Sequence, residues 1–235
     1  MTSSTRCPMS GVKPGAGAAT HQRRFDAFVD QPEFPCVGAR SALHTGRLRH
    51  ASHGTMGSVA AAQALRRDLR AFSEEFPDPG NQPVSFVALF DDVFEDELAF
   101  ERRLWEHLQV VHDLDRQEYA WDATVSDHPS DEQFSMSIGG RAYFVVGMHP
   151  KASRLARRSP MPCLVFNFHN QFESLKESGK YGTMQNAIRK RDLALQGSIN
   201  PVLARFGESS EARQYSGREV PADWVCPFSG KKAHV

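Results

Sequence analysis

Between Gly139 and Glu173 the chain reads as two short buried strands that each end in a histidine, with three arginines between them. Tyr143–Val146 and Cys163–Phe168 are apolar runs of strand length, rich in β-branched and aromatic residues. Upstream, Phe134 to Ile138 alternates, Gly139-Gly140 turns, and Arg141 to Val146 runs on, which predicts a hairpin. A hairpin followed by a further strand fixes an antiparallel arrangement around which the rest must pack.

Helical segments surround this unit. His21 to Val29 reads as a short helix with Phe25, Phe28 and Val29 on one side. Val59 to Phe76 carries Ala61, Leu65, Leu69, Phe72 and Phe76 at helical spacing, with Ser58 placed to cap it. Val84 to Phe90 reads as a central strand. Glu95 to His112 is amphipathic, with Leu98, Leu104, Trp105, Leu108 and Val111 on its apolar stripe. Its acidic first turn suits a helix N-terminus. Tyr181 to Leu195 is a further helix, and Asn200-Pro201 breaks it. The expected fold is therefore α+β: a mostly antiparallel sheet with helices packed on one face and a long irregular C-terminal segment.

Two stretches carry no regular pattern. Met1 to Thr20 is rich in Gly, Ala, Ser and Thr, lacks the apolar core of a secretory signal, and reads as a disordered tail, leaving 21–235 as a single domain. From Cys36 to about Gly57 a Gly-, Ser- and His-rich connection carries His44, His50 and His53 with Arg40, Arg47 and Arg49. It reads as a solvated basic loop, since those histidine spacings match no usual ligand pattern.

Composition removes several function classes. Lys+Arg 28 balances Asp+Glu 28, so no global charge points to nucleic acid or membrane. No apolar run approaches the roughly 20 residues of a membrane span. Four scattered cysteines, Cys7, Cys36, Cys163 and Cys226, make no disulfide framework and fit a cytoplasmic setting with reduced thiols. Neither a dinucleotide or phosphate-binding glycine loop nor a nucleophile elbow is present.

The chemistry concentrates on the two histidines. His149 ends one strand run and is followed by Pro150, which fixes the exit of the chain; Arg154, Arg157 and Arg158 lie just beyond. His169 ends the second run. Two imidazoles beside guanidinium groups suit a metal centre that carries acidic arms, and haem is one such centre. The competing reading is a turn-capping histidine and a solvated arginine face.

Several short motifs point the same way. Phe34-Pro35-Cys36 near the start mirrors Cys226-Pro227-Phe228 near the end. Between them lie Gly147-Met148-His149-Pro150-x-x-Ser153-Arg154-x-x-Arg157-Arg158, Phe166-Asn167-x-His169-x-Gln171-Phe172-Glu173, Gly197-Ser198-x-Asn200-Pro201 and Ser210-Glu211-Ala212-Arg213-Gln214-Tyr215-Ser216-Gly217. In this order they make residues 25 to 228 resemble the FPC/CPF-motif family, also called YqcI/YcgG-like. The resemblance implies a haem b-dependent oxygenase that N-hydroxylates a guanidine- or amine-containing small molecule, such as an arginine-like amino acid. It would use dioxygen and an electron donor or reductase. A homodimer is compatible with it.

Within that expectation His149 is taken as the axial ligand, with Arg154, Arg157, Arg158 and Arg218 as partners of the haem propionates. His169 is the alternative ligand, or a group that steers oxygen. Asn167 and Glu173 complete the expected catalytic set, although Glu173 also reads as a helix first-turn carboxylate. Tyr215 and Ser216 are further polar candidates. Cys36 and Cys226 would meet if the two tripeptides pack together, and thiolate ligation then becomes an option; small buried hydrophobes are the plainer reading. A haem sensor or carrier without turnover, and a cofactor-free protein whose arginines bind an acidic partner, are the other classes considered.

Overall fold

Gly139 and Gly140 adopt φ of +62° and +72°, and this two-residue turn folds β3 (Met136–Ile138) back on β4 (Arg141–Met148) with Ile138 opposite Arg141. The primed turn that such angles produce matches the twist of the flanking strands. The computed structural model describes residues 16–200 and 209–230. Of the tail expected over 1–20, residues 1–15 lie outside this range, and the remainder starts a helix, α1 (Ala16–Val29).

β4 pairs antiparallel with β5 (Cys163–Phe168), β5 with β2 (Ser85–Leu89), and β2 runs parallel to β1 (Leu48–Ser52). The sheet order is β1-β2-β5-β4-β3. The α+β expectation holds, but the sheet is mixed because the edge strand β1 is parallel.

The side chains alternate cleanly between two cores. Phe86, Ala88, Val145, Leu164 and Phe166 face one cluster, with Leu65, Leu69 and Phe72 of α3 (Val59–Glu75) and Phe100, Leu104 and Leu108 of α4 (Glu97–Asp115). Val87, Leu89, Met148, Cys163 and Val165 face the other, with Phe25 and Val29 of α1 and Ala42 of α2 (Val37–His44). Helices therefore cover both faces of the sheet, not one. A strand such as β2, buried at every position, requires that cover.

Local signals explain the helix starts. The Ser58 hydroxyl accepts the Ala61 N–H, and the Asp96 carboxylate accepts the Ala99 N–H. Leu98, expected on the stripe of α4, is 45% exposed; Phe100, two residues on and on the other side of the helix, is the buried one.

The basic connection is where the structure departs furthest from the sequence reading. It contains α2 and β1. Its three histidines each lie against an acid: His44 on Asp30, His50 on Asp26, His53 on Asp68. Arg49 folds back on Glu75. β1 lacks an apolar run because its position is held by pairing with β2 and by such contacts.

After β5 come α5 (His169–Glu177) and α6 (Lys180–Gln196), and α7 (Ala212–Tyr215) follows the gap in the described range. The C-terminal segment is irregular but not peripheral: Tyr215 and Phe228 belong to the α3/α4 core. Among the described residues no helix is long and apolar enough to cross a membrane.

Candidate functional site

The face of the sheet opposite α3 and α4 is not fully filled. A cavity of about 280 Å3 lies there, bounded by the sheet below and by α1, α2, α5 and α6 around it. This is at the lower end of small-ligand sites, which run roughly 300–1,000 Å3. Phe144, Val146 and Met148 of β4 form its floor, since alternate residues share one face of a strand. Phe34, Pro35 and Cys36 form one wall together, and Met184 and Ile188 of α6 another.

The polar groups in the wall are few and held. Asn167 Oδ1 accepts the Ser85 hydroxyl at 2.6 Å, and its amide donates to the Phe144 carbonyl at 3.3 Å. Gln171 bridges the Val84 backbone, accepting its N–H and donating to its carbonyl, both at 3.0 Å. Asp192 accepts from Arg154 at 2.7 Å and from the Asn200 N–H at 2.8 Å. Cys36 is the N-cap of α2, and its sulfur accepts the Ala39 N–H at 3.4 Å. Burial pushes the Cys36 thiol pKa up, while the Ala39 and Gly38 N–H groups and Arg157 pull it down. Arg157 is 8% exposed and donates to the carbonyls of Gly147 at 2.9 Å and Gln214 at 3.3 Å. Burial lowers its guanidinium pKa to about 10.

Of the residues considered from sequence, Asn167, Arg157 and Cys36 reach this cavity; the others are distributed elsewhere. His149 is 1% exposed, on the opposite side of the sheet, with its ring stacked on Phe100 at 4.3 Å and 22°. Both of its ring nitrogens lack a hydrogen-bond partner, and burial lowers its pKa to about 4. His169 opens α5, its Nδ1 3.6 Å from Glu211 and its Nε2 3.9 Å from Glu173. Glu173 is half exposed and also lies 3.8 Å from Lys176.

The arginines do not form one patch. Arg154 donates to Asp192 and to the Ser198 hydroxyl and carbonyl. Arg158 donates to the Ala152 and Ser153 carbonyls. Arg218 forks onto Glu101 of α4. Each guanidinium found its acceptors within the fold, which the sequence spacing alone does not reveal. Ser216 likewise donates to Glu101, and Tyr215 is wholly buried. Cys36 and Cys226 pack against different cores, so the mirrored tripeptides do not meet. Sequence reasoning noticed Phe34-Pro35-Cys36 as a motif without seeing that it walls a cavity; its position just before a helix start was the available signal.

Among the described residues no group of three or more His, Cys, Asp or Glu gathers to hold a metal ion. The side chains of the cavity wall with donor atoms suited to haem iron are Cys36, Met148, Met184 and Tyr181. Cys36 fits best: a thiol at a helix N-terminus, receiving a backbone N–H, beside an arginine and facing an apolar chamber. The volume is ample for a single-ring ligand and tight for a tetrapyrrole.

The profile of the YqcI/YcgG family matches residues 25–229. The chain is 29% identical over 211 residues to the uncharacterized protein YcgG of Bacillus subtilis (strain 168), covering 85% of this chain and 82% of that one. No solved structure matches.

Proposed function

The chain belongs to the YqcI/YcgG family, and from that premise we propose that its apolar cavity is the working site of a haem-dependent oxygenase that hydroxylates a nitrogen of an amine- or guanidine-bearing small molecule. The observation that supports this reading is that the Cys36 thiol, in the wall made by Phe34-Pro35-Cys36, and the buried Arg157 guanidinium line the same apolar chamber. Haem, when bound, supplies reductive activation of dioxygen with electrons from an external donor.

The protein's own residues have three tasks in this proposal. Cys36 replaces His149 as the iron ligand, and the Ala39 N–H that it already receives steadies the thiolate that metal binding requires. The apolar floor of Phe144, Val146 and Met148 keeps water out. Asn167, fixed by Ser85 and the Phe144 carbonyl, presents a held amide to the substrate. Asp192, the acid of the wall, is occupied by Arg154 and the Asn200 N–H, so it is already paired before a substrate arrives. The setting is a cytoplasm that keeps Cys36 reduced.

Titration of the purified protein with hemin tests the reading. A Soret band should grow to a fixed stoichiometry. Cys36→Ser should shift or abolish it, and His149→Phe should leave it in place. Absence of any Soret band removes the haem reading. A band lost in His149→Phe and kept in Cys36→Ser returns the iron to the imidazole.

A further inference from the structure

At one end of the cavity the buried charges do not balance. Arg154 and Arg157 are each 8% exposed, and the acid beside them, Asp192, is 3% exposed. Asp192 is committed to Arg154 through a 2.7 Å ion pair. Among the described residues no carboxylate comes within ion-pair distance of Arg157, whose described acceptors are two uncharged carbonyls. A buried charge without a counter-charge is among the most costly arrangements a fold can hold. A guanidinium has five N–H donors in a planar fork, and two carbonyls leave most of that fork unused.

The side chain is also held in place. Gly217, at φ +80°, lies so close that a Cβ there would come within 3.2 Å of the Arg157 Cγ. The charge is thus fixed in the cavity wall rather than free to reach solvent.

We infer that the cavity receives its ligand through a carboxylate, which docks on Arg157 as the fork's planar partner while the ligand's apolar body lies along Phe144, Val146 and Met148 of β4. Arg157 and Met148 stand at the same end of this floor, and Phe144 marks the other. Four residues of strand separate them, a run of about 13 Å. The fitting class is an elongated monocarboxylate with an apolar body. The same carboxylate chemistry could come from a substrate or from a propionate arm of haem. The inference rests on the cavity being the ligand site and not on haem being its occupant.

Calorimetric titration of the haem-free full chain with octanoate and with octanamide tests it directly. Octanoate should bind at least about tenfold more tightly, the value of one charge-assisted contact. Arg157→Met should erase that preference, and Val146→Trp, which fills the floor, should abolish binding of both. Because Arg157→Met also removes two internal bonds, the wild-type comparison of the two ligands stands without it. A second arm compares hemin with its dimethyl ester. If octanoate does not bind but hemin outcompetes its ester in an Arg157-dependent way, the carboxylate is the cofactor's own. Equal binding of octanoate and octanamide, or no charge preference in either arm, overturns the inference. Loss of hemin binding alone leaves it standing and removes only the haem reading.

Discussion

Arg218 grips Glu101 through two parallel bonds, Nε to Oε2 at 2.9 Å and Nη2 to Oε1 at 2.8 Å, and so ties the C-terminal segment to α4. Glu101 is 4% exposed and also accepts from Ser216 Oγ at 2.8 Å and Trp224 Nε1 at 3.1 Å. One carboxylate thus organises three separate positions of that segment. Removing it leaves a partly buried cation and two donors without an acceptor. Glu101→Ala should cost about 2–4 kcal/mol, below the full figure for a deeply buried pair because Arg218 keeps some solvent contact. Urea unfolding measures it, and limited proteolysis should show earlier cutting between residues 209 and 230. A loss under about 1 kcal/mol would mean the fork is ornamental.

Gly147 marks a close approach of β4 to α4 and α7. A Cβ there would lie 2.6 Å from Leu104 Cδ1, 2.7 Å from the Tyr215 carbonyl and 2.9 Å from Phe100 Cε1. The Tyr215 contact is backbone and cannot rotate away. Gly147→Ala should therefore destabilise by about 1–3 kcal/mol through overpacking, with a lowered thermal midpoint and an unchanged fold by circular dichroism. A neutral or stabilising result would show that α7 shifts freely against β4.

Two buried imidazoles give the stability a pH dependence of defined sign. Burial lowers His149 to about 4, with Glu97 and Asp96 opposing, and lowers His107 to about 3, with His53 and Arg103 adding to the effect. His107 Nδ1 accepts the Gly57 N–H at 3.0 Å, which requires the unprotonated ring. Both groups titrate near 6.5 once unfolded. The unfolded chain then binds more protons below that value, so stability is full above about pH 6.5 and falls as pH drops toward 4. His149→Phe keeps an aromatic ring on Phe100 and should flatten the slope between pH 6 and pH 4.5 by about 1.4 kcal/mol per unit. Chemical denaturation across that window measures it; an unchanged slope would show that His149 charges in the native state.

The strands and long helices were legible because their burial is periodic. Ser85–Leu89, Cys163–Phe168 and the Leu65–Leu69–Phe72 face of α3 announce themselves in the sequence. β1 did not, because Leu48–Ser52 carries Arg49 and His50, whose partners Glu75 and Asp26 lie on other elements. The candidate site was legible only in part. Phe34-Pro35-Cys36 stood out as a motif, yet the cavity behind it exists only once α6 folds over β4. The arginines misled for a related reason. Adjacent in sequence, Arg154, Arg157 and Arg158 take acceptors on three different parts of the chain, and no local pattern encodes that divergence.

The C-terminal segment shows how a polar stretch can enter a core. Around Tyr215 the sequence offers no apolar periodicity, yet its ring stacks on Trp105 at 5.6 Å and is fully buried. What admits it is the hydroxyl. It accepts the Met136 N–H at 3.1 Å and donates toward the Tyr143 carbonyl at 3.2 Å or Glu211 Oε2 at 3.3 Å. Those bonds join α7 to both strands of the hairpin. Tyr215→Phe retains the ring but leaves the β3 amide and a buried carboxylate short of a partner. The cost should be about 1–3 kcal/mol, above that of deleting an equally buried hydroxyl with no strand contact. Hydrogen exchange at the Met136 amide reads the local effect. Unaltered protection there, with unaltered stability, would show that the ring alone holds the segment in place.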